Sequence, residues 1–276
     1  MDFEEEDYLS EDGQAWALRH YPCVGSTNDI CRNLPAWTAV RADSQNKGRG
    51  RFGRSFVSEK GGLWISVTLP ATGGPERWAG FSLRVGACLL RYLKSIGIPS
   101  ARLRWPNDLM CGSQKVAGLL IEQPSNGMLI VGFGLNISNE PWSQDASLRA
   151  TATNLAEWIV PPDITVLTHG VVEAISKAHR EMQTGGMAAA IEELNRTWAV
   201  PSPVELHLNT GKILSGLFTG LDAEGHLKLL DQSGSPQRVE HHLVEKLREI
   251  LPPRHQTFGQ ISSELLRIRA HEQSQP

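Results

Sequence analysis

A chain of 276 residues is long enough for one sizeable core and a smaller second unit, and its hydrophobic fraction of 40% and charged fraction of 21% are those of an ordinary folded protein. A formal net charge of −3 removes any overall basic footprint for nucleic acid or an acidic membrane surface, so anion binding must come from local clusters. The acidic opening, Met1 to Asp7, is unlike the basic start of a signal peptide, and no apolar run is long enough to span a bilayer. The four cysteines, Cys23, Cys31, Cys88 and Cys111, are scattered, without the clustered Cys/His spacing of a zinc site. Reduced, partly buried thiols suit a cytoplasmic protein.

In chain order, residues 1–21 read as a short polar lead-in. Ser26-Thr27-Asn28-Asp29 reads as a helix start with a capping-box pattern, ahead of Ile30 and Leu34 at helical spacing, and Pro35 closes the segment. Trp37 to Ala42 reads as a strand. The polar, basic, Gly-rich stretch 43–62 is too poor in apolar residues to be a core element, and Leu63 to Leu69 follows as a strand stopped by Pro70. Trp78, Phe81, Val85, Cys88, Leu89 and Tyr92 recur at helical spacing, which predicts an amphipathic helix over 76–95. Strands are expected over 101–105, 116–122 and 128–136, and helices over 164–183 and 187–198, parted at Gly185-Gly186. Beyond Pro203 the pattern becomes short β runs at 204–208, 213–221, 227–230 and 239–244, which predicts a small barrel, followed by a polar tail. The fold class expected is α+β, a mixed-sheet domain followed by a small β domain.

Three stretches carry chemistry. In Gly48-Arg49-Gly50-Arg51-Phe52-Gly53-Arg54, glycines let backbone N–H groups approach an anion while guanidinium forks supply charge-assisted bonds. A solvated basic loop or a nucleic-acid contact of the RGG kind has the same composition. The stretch is neither a Walker A, lacking Gly-Lys-Ser/Thr, nor a dinucleotide fingerprint, since a strand follows it. In Arg104-Trp105-Pro106-Asn107-Asp108, a turn exposes a carboxylate, and further on Lys115 stands at the mouth of an otherwise apolar strand. Lys115 either snorkels harmlessly or points into a cleft to meet an acyl or phosphoryl anion, with Gly118 allowing close approach. Gly132 and Gly134 share one strand face and clear space for a flat ligand or a packed helix, while Asn136 either reads a purine edge or turns the chain.

In this order and spacing the segments, with Ala152-Thr153-Asn154-Leu155 after them, closely resemble the biotin protein ligases, from Gly25 to about Arg248. The resemblance implies a catalytic biotin- and ATP-binding domain over 22–200, an SH3-like domain over 201–250 and a tail over 251–276 without assigned function. The implied activity is formation of biotinyl-5'-AMP from biotin and ATP with Mg²⁺, then transfer of biotin to a lysine of a carboxylase's biotin carboxyl carrier domain. Ser26, Thr27 and Gln45 would bind the ureido ring, supported by Asn28, and Trp64 would line the biotin pocket. Gly48, Arg49 and Arg51 would form the mobile loop over the carboxylate and phosphates, assisted by Arg54. Lys115 would bridge carboxylate and α-phosphate. Gly118, Gly134 and Asn136 would shape the biotin and adenine sites, with Asn107 at the nucleotide, and Asp108, the nearest motif carboxylate, either accepts the lysine's proton or stabilises the turn. No dedicated metal ligands are implied.

Phe56 departs from the family's usual tryptophan and Arg104 from its usual lysine. A lipoate ligase shares the expected fold and adenylation logic, but its loop runs Arg-Arg and then glycines. A biotin-sensing repressor would need a winged helix of about sixty residues before Ser26, so DNA binding is not expected. A sheet edge could take the acceptor by strand addition or serve a homodimer.

Overall fold

The structure is a computed structural model describing residues 2–198 and 201–250; the expected tail lies outside the described residues. The chain divides into two compact units, one ending at Thr197 and the other beginning at Trp198. The first is built on β1 (Glu4–Leu9), β2 (Ala15–Tyr21), β3 (Thr38–Ala42), β4 (Gly62–Pro70), β5 (Arg102–Arg104), β6 (Asp108–Cys111), β7 (Gln114–Glu122) and β8 (Met128–Asn136). These form one mixed sheet in the order β1-β2-β3-β4-β8-β7-β6-β5, with β2 and β3 parallel and the other pairs antiparallel. The helices are α1 (Thr27–Cys31), α2 (Phe81–Ser95), α3 (Ile164–Gly185) and α4 (Ala188–Trp198).

The two faces of the sheet have opposite chemistry. Register pairs Ile65 with Phe133, Phe133 with Leu119, and Leu135 with both Leu63 and Ala117, so these residues share a face with Leu103 and Leu109. That face is apolar and carries the long helices: Gly86 of α2 sits so close to Leu103 that a Cβ there would lie 3.0 Å from it. Each fully buried Leu, Ile or Phe contributes about 1.5–3 kcal/mol, so this layer is the main source of stability. The other face carries Val40, Ser66 and Gly132 in one row, and Ala42, Trp64, Gly134 and Gly118 in the next. It is covered in part by α1, where Cys31, Ile30 and Leu34 pack with Val40, Ala42 and Ile130. The remainder of that face, floored by glycines, is open.

Four expectations need correction. The polar lead-in is a hairpin of the sheet: Trp16, Leu18 and Tyr21 of β2 are buried, and β1 pairs along its full length although its side chains are almost all exposed. Ser26 caps α1 only by position; no side-chain cap bond forms, and the Asp29 carboxylate is turned elsewhere. The helix predicted over 76–95 begins only at Phe81, because Gly80 adopts φ 75° and breaks the preceding 3₁₀ turn, Pro75–Trp78. The segment 239–244 is not one strand but the end of one, a 3₁₀ turn and the start of another.

The second unit is an antiparallel sheet of β9 (Ser202–Leu208), β10 (Ile213–Leu221), β11 (Leu227–Asp231), β12 (Pro236–Val239) and β13 (Val244–Glu249), in the order β12-β11-β10-β9-β13. Its core is Val204, Leu206, Phe218, Leu221, Leu227, Leu229, Val239 and Val244. These five antiparallel strands are consistent with the SH3-like domain expected, and among the described residues no strand pairing joins β12 to β13 to close the ring.

Candidate active site

The open face of the sheet forms the floor of a cleft enclosing about 450 Å³, the space open to solvent included. Gly118 of β7 and Gly132 and Gly134 of β8 leave that floor without side chains, and each absence is occupied by a neighbour. A Cβ at Gly132 would lie 2.3 Å from Asn28 Oδ1, one at Gly134 2.6 Å from the Phe56 ring, and one at Gly118 2.8 Å from Lys115 Nζ.

One end of the cleft is a connected set of polar groups. Gln45 Oε1 accepts from the Thr27 N–H (2.8 Å) and the Thr27 hydroxyl (3.1 Å), and its Nε2 donates to Ser58 Oγ at 3.0 Å. Thr27 Oγ1 and Ser66 Oγ are 2.6 Å apart, and Ser66 Oγ donates to Asn28 Oδ1 at 2.6 Å. Asn28 Nδ2 donates to Glu122 Oε2 at 2.8 Å. Thr27, Asn28 and Ser66 are buried, so the cost of desolvating them is met by these mutual bonds and their orientation is fixed; Ser26 is buried beside them.

The other end holds cations. Lys115 Nζ lies 2.7 Å from Asp108 Oδ1 and 5.2 Å from the centroid of the Phe56 ring, while Arg104 Nη2 is 2.8 Å from Asp108 Oδ2. Burial alone would raise the Asp108 carboxyl, but Lys115 and Arg104 outweigh it and hold the group down at about 2. Asn107 fixes this corner by donating from Nδ2 to the Leu119 carbonyl at 2.9 Å.

Between the two ends runs the loop from Gln45 to Ser58. Its stem is held by backbone bonds, Gly50 N–H to the Arg54 carbonyl (2.7 Å) and Phe56 N–H to the Gly48 carbonyl (2.9 Å). Its tip turns through Phe52 (φ 57°) and Gly53 (φ 70°). Gly48 is required by sterics, since a Cβ would sit 2.4 Å from the Phe56 carbonyl oxygen. Arg49 reaches the cleft wall and is gripped by both oxygens of Asp29. Arg51 approaches Asn107 Oδ1 at 3.5 Å; burial, then Arg54, pull its guanidinium down to about 10.

Of the residues singled out in the sequence, Ser26, Thr27, Asn28, Gln45, Arg49, Asn107, Lys115, Gly118 and Gly134 line this one cleft. Asp108 and Arg51 stand beside it through Lys115 and Asn107. Others are placed differently. Trp64 is fully buried behind Phe56, its indole N–H donating to the Glu59 carbonyl at 2.8 Å, so Phe56 and not Trp64 presents the aromatic wall. Arg54 is exposed, with Nε 3.4 Å from the Arg51 carbonyl. The Asn136 amide donates to the Thr153 carbonyl (2.9 Å) and accepts from Asn139 (3.1 Å); this buried link ties β8 to the following segment. Ser66, Asp29, Glu122, Phe56 and Phe133 belong to the site or its support and were not singled out for it in the sequence.

Residues 23–136, which carry this whole cleft, match the biotin/lipoate A/B protein ligase family. Those residues form a biotin/lipoate A/B protein ligase family domain. The domain is similar to the biotin–[acetyl-CoA-carboxylase] ligase of Mycobacterium tuberculosis, 27% identical over 259 residues that span 88% of this chain and 94% of that protein. It is also similar to the bifunctional ligase/repressor BirA of Escherichia coli, 28% identical across 77% of this chain and 68% of that protein. Among solved structures, the biotin protein ligase of Aquifex aeolicus in complex with biotin and ATP superimposes with a TM-score of 0.74 at 26% identity, covering 84% of this chain and 99% of that one.

Proposed function

We propose that this enzyme joins biotin to ATP as biotinyl-5'-AMP and passes the biotinyl group to a lysine of a biotin carboxyl carrier domain. The observation that carries the reading is the cleft's division into a buried hydrogen-bonding end, built by Ser26, Thr27, Asn28, Gln45 and Ser66, and a cationic end at Arg49 and Lys115. A cyclic urea offers two N–H donors and a carbonyl acceptor to the first end, and its acid tail reaches the second. A dithiolane ring carries neither N–H donors nor a carbonyl, so it cannot exchange hydrogen bonds with that polar end as a urea can, which favours biotin over lipoate.

In the first step a biotin carboxylate oxygen forms a bond to the α-phosphorus while the bond from that phosphorus to the pyrophosphate oxygen breaks. Negative charge accumulates at phosphorus, and Lys115, Arg49 and Arg51 are placed to meet it with fixed positive charge. Mg²⁺ is read as arriving on the triphosphate with the substrate. In the second step the acceptor amine attacks the anhydride carbonyl, AMP leaves, and the amine sheds a proton. Asp108, held at about 2 by two cations, is a weak proton acceptor; its place in this geometry is to aim Lys115. No described helix is long and apolar enough to cross a membrane, which agrees with the cytoplasmic setting proposed for such a carrier.

Purified protein incubated with MgATP and labelled biotin, without acceptor, should form bound biotinyl-AMP. Lys115→Ala should slow this by roughly 10²–10³-fold, as for loss of one preorganised charge donor. Adenylation of lipoate in preference to biotin would overturn the substrate assignment, and no adenylate with either acid would overturn the reaction.

A further inference from the structure

Arg49 lines the cleft, yet its guanidinium is already held in the free protein. Nη1 donates to Asp29 Oδ2 at 2.7 Å and Nη2 to Asp29 Oδ1 at 2.6 Å, an end-on fork. Such a fork uses the facing N–H of each terminal nitrogen and leaves Nε–H and the outer N–H groups for a ligand anion. Asp29 itself is seated on a brace. Arg32 Nε lies 3.4 Å from Asp29 Oδ1, Arg32 Nη2 donates to Glu122 Oε1 at 2.7 Å, and the other oxygen of Glu122 takes the Asn28 amide. The loop cation is thereby tied to the short helix that carries the polar end of the cleft.

The pair is part-exposed, with Arg49 at 32% and Asp29 at 45%, so its contribution to folding is small. Its consequence lies in orientation. An arginine free to sample its rotamers loses that freedom when it closes on a phosphate; one already gripped has lost it in advance.

We propose that Asp29 is a positioning residue that holds Arg49 over the cleft in the unliganded enzyme, so that the reacting anion meets a guanidinium already oriented. This rests on the cleft being a biotin and ATP site. Asp29→Asn then removes the grip while leaving Arg49 charged, and raises KM for ATP roughly three- to tenfold, the ordering of one long side chain. Because the oriented state is restored once ATP is bound, kcat moves by less than about twofold.

The test is a double-mutant cycle on single-turnover biotinyl-AMP formation with ATP titrated, using wild type, D29N, R49A and D29N/R49A, with thermal unfolding of each. D29E, which can rebuild the fork, should return KM toward wild type, and D29S is a second neutral variant in case D29N folds poorly. The expected result is a raised KM in D29N and D29S, rescue in D29E, and no further loss when D29N is added to R49A. An unchanged KM in D29N, or an equal loss in the R49A background, overturns the proposal while leaving the activity intact. A wild-type protein that forms no adenylate overturns the reading of the cleft and this proposal with it.

Discussion

Gly132→Ala isolates the polar end of the cleft, because the added methyl meets one well-defined object. Its carbon would lie 2.3 Å from Asn28 Oδ1, 3.1 Å from Asn28 Cγ and 3.2 Å from the Leu120 carbonyl oxygen. The strand cannot retreat, since Gly132 is paired to Ser66 on one side and Leu120 on the other, so the Asn28 amide has to leave. Its departure breaks the 2.6 Å bond from Ser66 and the 2.8 Å bond to Glu122, the second of them charge-assisted. Taking about 1 kcal/mol for the first and about 1.5–3 for the second, and allowing for water replacing part of the loss, the site loses roughly 2–3 kcal/mol of order. Expressed in biotin binding that is about 30- to 150-fold in Kd. Titration calorimetry with biotin alone measures it, without ATP or acceptor. In an Asn28→Ala background the methyl has nothing to displace, so Gly132→Ala should there cost less than about threefold. A wild-type Kd in the single variant would refute the packing argument, and an undiminished loss in the double variant would refute the role given to Asn28.

Asp108 supplies a pH signature. Its carboxyl is held at about 2, below the ordinary 3.8, so the stability it lends is fully present above about pH 4 and is lost as pH falls through about 2. The loss is of order 2 kcal/mol, and denaturant titrations at pH 5 and pH 2 should show wild type falling further than Asp108→Asn by about that amount; equal falls would sink the assignment. Arg84, buried between α2 and α3, donates to Glu181 at 2.8 Å and to the Gly186 carbonyl. Glu181 is part-exposed and keeps Arg91 at 3.3 Å, so Arg84→Ala should lower unfolding free energy by about 1–3 kcal/mol, mainly through the hydrogen bonds lost around a buried side chain. Adenylation measured well below the lowered midpoint should stay near wild type. Cys31, Cys88 and Cys111 are buried, with burial pushing Cys88 and Cys111 up to about 12, whereas Cys23 is exposed. Mass spectrometry after iodoacetamide at pH 8 should find Cys23 modified first; labelling of Cys111 at a similar rate would show that the β5–β6 end of the sheet opens.

The strands that position the cleft were legible because their signal is local. Met128 to Asn136 is a short apolar run with two glycines two apart, closed by Asn136, and β8 has those bounds. β1 was not legible, since Glu4-Glu5-Glu6-Asp7 has no apolar alternation to show; it is held as a strand by backbone pairing to β2 and by the Glu5–Arg19 pair at 2.5 Å. β6 escaped notice for another reason. Four residues in a run of turn-formers give little periodicity, and Asp108 to Cys111 becomes a strand only because β5 and β7 flank it.

The site divides along the same line. Arg49, Lys115 and the three floor glycines stand out by composition, whereas the residues that aim them do not. Glu122 is 94 positions from Asn28 and 90 from Arg32, and reads in sequence as the polar end of a strand. Asp29 is the sharper case, because a local rule accounts for it so well. Ser26 and Asp29 fit a capping box, and a helix of five residues has little else to start it. A carboxylate can satisfy a backbone N–H or a guanidinium fork, and the fork offers two charge-assisted bonds where the cap offers one neutral donor. Once the loop brings Arg49 within reach, the fork wins and the cap is left unmade. The unmade cap is therefore itself the trace of a tertiary interaction, and a short helix that forgoes an available cap marks a side chain committed elsewhere.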